Sequence, residues 1–340
     1  MIPPVGCSGI DYQLPDIYSA AVRRISCPDN VDKLRKKGTM KTPGLIVAPL
    51  TPFTRDLKID WDALKREIDF VVEDCDATMV TAAGVETQEY HYLSFAERKE
   101  LIARTIEMVD RRCGVAVGIS HPNTNTVNEL AAFATEKGAD ALQLLAPLRP
   151  YAGEPSTQEL VDYFSIVAER ATLPMMLYIN PGPGANVTPE ATVAVTRNVD
   201  KVKYVKESSR DLARCSRLIA EVHHAGHAQY FTTMQMLLAT LMLGGAGATM
   251  PPPATWIANQ IIKAFEAGDY ERAARLQLKF ARFPTPWMQK GLAPVMKAAM
   301  EAIGLPMGDP YPPFPAFTPA EKEALAAHFR EIDFMEGRSA

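Results

Sequence analysis

From Gly44 to about Ala267, short strand-like runs of apolar residues alternate with longer stretches of helical period, and turn residues separate them. The strand candidates are Leu45 to Leu50, Ala77 to Ala82, Val115 to Ile119, Ala141 to Ala146, Met175 to Tyr178, Val202 to Lys206, Gln229 to Thr232 and Ala246 to Met250. The helical stretches carry start signals. Ser94 and Glu97 form a capping box ahead of Lys99 to Val109, and Thr188-Pro189-Glu190 places a hydroxyl cap, a first-turn proline and an acid in the order a helix N-terminus favours. Strict alternation of strand and helix implies a parallel sheet covered on its outer face, and eight units of roughly 28 residues predict a closed (β/α)₈ TIM barrel. An open doubly wound sheet is the competing architecture.

Past the eighth unit the pattern is helical: Tyr270 to Arg282, Gly291 to Ile303 and, after a proline-rich stretch from Pro306 to Pro319, Ala320 to Ile332. Residues 1 to 42 have weak periodicity, four prolines and a basic stretch from Lys33 to Lys37. The expected organisation is an N-terminal arm (1–42), the barrel (43–268) and a C-terminal helical extension (269–340). Met40 offers an alternative start just ahead of the first strand, so no function is hung on the arm.

Composition narrows the class. With 47% hydrophobic residues in 340 the chain can bury a large core, and 36 Lys plus Arg against 40 Asp plus Glu, mixed along the chain, give a net charge of -4. That balance argues against nucleic acid or an anionic membrane as partner and leaves small molecules. No apolar run approaches the ~20 residues that span a bilayer, and no signal peptide opens the chain, so a cytoplasmic protein is expected. Five cysteines without a C-x-x-C pair suit neither a disulfide framework nor a zinc site. His223 and His227 have the spacing of a helical metal pair but fall on the barrel end opposite the chemistry; no metal and no cofactor are expected. The glycines at 182 and 184 lack a third partner for a phosphate loop, and Gly244, Gly245 and Gly247 are expected in the turn before the eighth strand.

In such a barrel the reacting groups lie at the C-terminal strand ends. Lys206 ends the sixth candidate strand and, by alternation, shares a face with Val202 and Tyr204. If that face is interior, desolvation lowers the lysine pKa and leaves an amine that can form a Schiff base with a carbonyl; the alternative is a strand-end lysine reaching solvent or pairing with Glu207. Tyr178 ends the fifth candidate strand on the face of Met176. From an adjacent strand end it can carry protons for an imine at Lys206, or pack at the rim.

The strings Leu50-Thr51-Pro52-Phe53, Tyr178-Ile179-Asn180-Pro181, Val205-Lys206-Glu207 and Gly244-Gly245-Ala246-Gly247 resemble the dihydrodipicolinate synthase / N-acetylneuraminate lyase superfamily, over about Gly44 to Leu305. The resemblance implies the barrel with its helical extension, a homo-oligomer (tetramer or dimer), and class I aldolase chemistry on pyruvate or another 2-oxo acid. It makes Lys206 the Schiff-base lysine and Tyr178 the proton-relay tyrosine. The loop that holds the 2-oxo acid carboxylate in the family corresponds here to Val85-Glu86-Thr87-Gln88-Glu89, so Thr87 is a candidate donor. Glu86 stands where a hydroxyl relay often sits. It is turned away, protonated, or bound to a cationic or hydroxylated part of the substrate. Thr249, on the eighth strand, is a further candidate for substrate contact.

Two departures bear on the substrate. The loop Pro181 to Asn186 lacks the arginine with which dihydrodipicolinate synthases bind the aldehyde's carboxylate, and the tyrosine lent by a neighbouring subunit looks displaced, leaving Arg149 and Tyr151 as candidate replacements. With Glu86, Glu89 and an aromatic wall of Tyr90, His91 and Tyr92, and with His121 near the mouth, a neutral, hydroxylated or aromatic aldehyde is expected. The leading expectation is a Schiff-base lyase acting on a 2-oxo acid and an aldehyde. Alternatives are a dehydratase or hydratase-aldolase working through the same imine, dihydrodipicolinate synthase proper, and a metabolite-binding barrel without turnover.

Overall fold

A computed structural model describes residues 41–149 and 153–338. The expected arm lies outside the described residues except for 41 and 42, and so does Tyr151. Eight parallel strands close into a barrel in sequence order, β1 pairing with β8: β1 (Gly44–Val47), β2 (Met79–Ala82), β3 (Gly114–Gly118), β4 (Ala141–Leu145), β5 (Met175–Ile179), β6 (Val202–Glu207), β7 (Gln229–Thr233) and β8 (Gly247–Met250). The helices between them are α1 (Trp61–Asp69), α2 (Phe95–Val109), α3 (Thr124–Lys137), α4 (Thr157–Arg170), α5 (Pro189–Asn198), α6 (Leu212–Leu218) and α7 (Leu237–Met242), with α8 (Thr255–Glu266) after β8. The closed ring excludes the open doubly wound sheet.

Two apolar layers hold the barrel. Strand residues such as Leu45, Val80, Leu142 and Val205 face outward and pack on the helices in one continuous core. A second, inner layer consists of Ile46, Met79, Ala116, Ala141, Met176, Tyr204, Phe231 and Ala246. Five large side chains and three alanines share that layer and fill the interior without a pore. Met176 and Tyr204 are therefore interior, and by period-2 alternation Tyr178 and Lys206 project inward one layer above them.

The caps form as the sequence dictates. Ser94 accepts from the Glu97 amide at 3.2 Å while Glu97 accepts from the Ser94 amide at 2.9 Å, and Thr188 accepts from the Ala191 amide at 3.1 Å ahead of Pro189. The first strand is shorter than its apolar run. Pro49 has no N–H to donate, and the Leu50 amide turns to Glu67 Oε1 at 2.9 Å instead of to a neighbouring strand. Gly247 does not precede the eighth strand as expected but opens it, at φ 129°, where a Cβ would come within 2.0 Å of the Gly44 carbonyl oxygen. Only glycine fits that approach.

Beyond α8 come α9 (Tyr270–Arg282), α10 (Leu292–Ala302) and α11 (Pro319–Glu331), each within two residues of expectation. Helix α10 reaches the C-terminal mouth of the barrel and is pinned there by a buried ion pair, Lys297 Nζ to Glu89 Oε2 at 2.7 Å, both side chains 2% exposed. Among the described residues no helix is long and apolar enough to cross a membrane.

Candidate active site

The mouth of the barrel holds a cavity of about 210 Å³ walled by the ends of β5, β6, β7 and β8, the loop after β2, and α10. Lys206 lies at its base. Its register partner across the β5–β6 ladder is Tyr178, so the two candidate groups sit side by side on adjacent strands. Lys206 is 4% exposed, its Nζ lies 3.7 Å from the centroid of the Tyr178 ring, and no hydrogen-bond partner for Nζ is present among the described residues. Burial lowers its pKa from 10.5 to about 7, and the nearby Glu86 opposes the shift. Near neutrality a large share of it is thus free amine, the form that attacks a ketone. Glu207, the other partner considered for Lys206, bonds to Arg214 at 2.9 Å.

Tyr178 is 1% exposed and donates its hydroxyl to Glu86 Oε2 at 2.7 Å. Asn180 Nδ2 lies 2.8 Å from the Tyr178 oxygen and 3.2 Å from the same Glu86 oxygen. Burial, then the charge and hydrogen bond of Glu86, raise the Tyr178 pKa well above its usual value. The phenol is a neutral group that can pass a proton on but does not stay ionised. Glu86 is therefore turned into the site and accepts from the tyrosine.

The loop that presents Glu86 and Thr87 is riveted from below. Gln88 Nε2 donates to the carbonyls of Pro49 (2.9 Å) and Thr81 (2.8 Å), and its Oε1 accepts from the amides of Gly84 (2.8 Å) and Val85 (3.0 Å). The Gln143 amide donates to the Gly84 carbonyl, and Gly118 lets that turn approach: a Cβ there would fall 2.1 Å from Gly84 Cα. Every polar atom of a buried amide is thus committed to holding this loop. Thr87 is 6% exposed and lines the cavity, as does Thr249, whose buried Oγ1 has no hydrogen-bond partner among the described residues.

Lys206, Tyr178, Glu86, Thr87 and Thr249 are all brought to one cavity. Arg149 is not among its walls: it is exposed and pairs with Glu159 at 2.6 Å. Tyr151 lies outside the described residues. Glu89 is drawn away into the ion pair with Lys297, and the cavity walls do not include Tyr90, His91, Tyr92 or His121. The grounds for a neutral aldehyde are thereby reduced. Sequence reasoning also passed over Arg210, in the loop after β6, which lines the mouth and pairs with no carboxylate among the described residues. Its position four residues past the lysine was the available signal, because a loop at a C-terminal strand end is where substrate is met. Asn180 was visible in the Tyr-Ile-Asn-Pro string but given no task.

The sequence profile of the dihydrodipicolinate synthetase family matches residues 41–332. The chain is 29% identical over 294 residues to 4-hydroxy-tetrahydrodipicolinate synthase of Moorella thermoacetica, covering 86% of this chain and 98% of that one. To the enzyme of the same name from Bacillus subtilis it is 28% identical over 290 residues, covering 84% and 97%. Among solved structures it resembles N-acetylneuraminate lyase from Mycoplasma synoviae, with a TM-score of 0.73, 26% identity and coverage of 85% and 97%. The chain belongs to the dihydrodipicolinate synthetase family, (β/α)₈-barrel lyases that form a lysine Schiff base with pyruvate.

Proposed function

We propose that the chain is a Schiff-base lyase in which Lys206 condenses with the ketone of pyruvate or another 2-oxo acid and Tyr178 carries the protons of imine formation and carbon–carbon bond making or breaking. The observation that supports this most directly is the register pairing of Tyr178 with a buried, partly deprotonated Lys206 in one cavity. Attack of the neutral amine gives a carbinolamine; loss of water, with its proton supplied through Tyr178, gives the protonated imine, which draws electrons from the adjacent carbon. Thr87 and Thr249, which both line the cavity, are the proposed donors to the acid's carboxylate. A dehydration through the same imine would use the same groups, so substrate decides between the two outcomes. Pyruvate followed by borohydride is expected to add mass irreversibly to the peptide that contains Lys206. Labelling confined to another lysine, such as Lys203, would show the assignment to be wrong.

For the second substrate, Arg210 favours an acceptor that carries an anionic group, because a guanidinium at the mouth supplies a fork of donors that a carboxylate fits. Arg210→Ala is expected to raise KM for a carboxylate-bearing aldehyde such as aspartate semialdehyde by about 10–100-fold, the worth of a charge-assisted hydrogen bond, and to leave KM for pyruvate unchanged. An equal loss with glycolaldehyde or benzaldehyde would remove Arg210 from substrate recognition.

A further inference from the structure

We propose that Glu86 is the terminus of the proton relay: it receives, through Tyr178, the proton that leaves the carbon beside the imine, so that the acid–base cycle closes within one chain. This rests on the Schiff-base function proposed above for Lys206. Three distances carry it. Glu86 Oε2 lies 2.7 Å from the Tyr178 hydroxyl, Asn180 Nδ2 lies 2.8 Å from the same hydroxyl, and Asn180 Nδ2 lies 3.2 Å from Glu86 Oε2. Asn180 can only donate through Nδ2, so the Tyr178 oxygen accepts from it while its own hydrogen points at the carboxylate. Ser208, which lines the same cavity, is a further hydrogen-bonding neighbour of the phenol, and Lys206 Nζ sits 3.7 Å from the centroid of its ring.

A buried phenol that is reluctant to ionise cannot act as a base alone. It can take a proton only if its own hydrogen leaves in the same step, and the group already receiving that hydrogen bond is Glu86. In the protonated imine of pyruvate the methyl C–H bond breaks and its electron pair becomes the carbon–carbon double bond, while the carbon–nitrogen double bond becomes single. The proton goes to the Tyr178 oxygen, and the Tyr178 hydrogen goes to Glu86 Oε2. An iminium and a carboxylate become a neutral enamine and a carboxylic acid. Both charges disappear together, which suits a site where a lone buried charge is costly.

The partial reaction can be followed without knowing the aldehyde, as loss of the pyruvate methyl proton signal in heavy water. Glutamine at position 86 still offers an oxygen to the Tyr178 hydroxyl but cannot hold its proton. Glu86→Gln is therefore expected to trap pyruvate on Lys206 with borohydride after equilibration, yet to exchange the methyl protons at least ~100-fold more slowly than the native chain. Glu86→Asp is expected to recover part of the rate, which marks the carboxylate rather than the shape as the requirement. Trapping retained in Glu86→Gln with exchange within about two-fold of native would overturn the role of Glu86 alone. Failure of the native chain to trap pyruvate at Lys206 would overturn the Schiff-base function and this inference with it.

Discussion

Replacing Lys206 by methionine is expected to abolish pyruvate trapping and to lower turnover by about 10⁴-fold or more, while making the folded chain more stable. The amine is 4% exposed and has no hydrogen-bond partner among the described residues, and burial lowers its pKa from 10.5 to about 7. The unfolded chain keeps the proton up to about pH 10.5, so between about pH 7 and 10.5 it binds more protons than the native chain, and stability rises with pH across that window. Below pH 7 the native lysine is charged and its full penalty, on the order of 5 kcal/mol, is present. Methionine fills a similar volume and carries no charge. The gain in Lys206→Met should thus be largest near pH 6 and shrink by about pH 9, as guanidinium unfolding at the two pH values would measure. A methionine variant less stable than native near pH 6 would mean that the pocket stabilises the ammonium, and with it that Lys206 is no free nucleophile at neutral pH.

The barrel was legible because its signal is repeated eight times. Each strand is a short apolar run and each helix brings its own cap, so an error of a residue or two at one boundary leaves the topology intact. The inward placement of Lys206 and Tyr178 was likewise legible, since alternation along two adjacent strands fixes their face. What alternation cannot supply is the conformation of loops. Glu86 and Glu89 stand three residues apart and look alike in sequence; the turn between them sends one to Tyr178 and the other, at φ 52°, to a lysine more than two hundred positions away. Gln88 reads as an ordinary polar loop residue until its four hydrogen bonds are seen. The family resemblance points to an arginine only in the loop after the fifth strand and so gives no sign of Arg210, although the loop after the sixth opens on the same mouth.

Lys297→Met is expected to destabilise the chain by about 3–5 kcal/mol, the cost of stranding a buried charge. Lys297 and Glu89 are each 2% exposed and 2.7 Å apart. The remaining bonds around them come from the backbone: the Tyr311 amide donates to Glu89 Oε1 at 2.7 Å, and Lys297 donates to the Asp309 carbonyl at 2.9 Å while lying 4.4 Å from the centroid of the Phe53 ring. Glu67, nearby, is another acid and cannot supply the missing positive charge; burial pushes its pKa up to about 8, so at neutral pH it is largely neutral. Methionine would leave Glu89 with one backbone donor and no counter-charge. The consequence reaches the chemistry through two short connections. Glu89 follows the turn that presents Glu86 and Thr87, and Met296, which lines the cavity, precedes Lys297 on α10. The single variant should therefore also raise KM for pyruvate, with borohydride trapping at Lys206 retained at saturating pyruvate. Adding Glu89→Gln removes the stranded charge, so the double variant is expected to regain more than about half of the lost stability. Unfolding measurements on the two single variants and the double decide it: losses that simply add would mean that the two residues are not energetically coupled, and the clamp between α10 and the loop after β2 would have to be sought in other contacts.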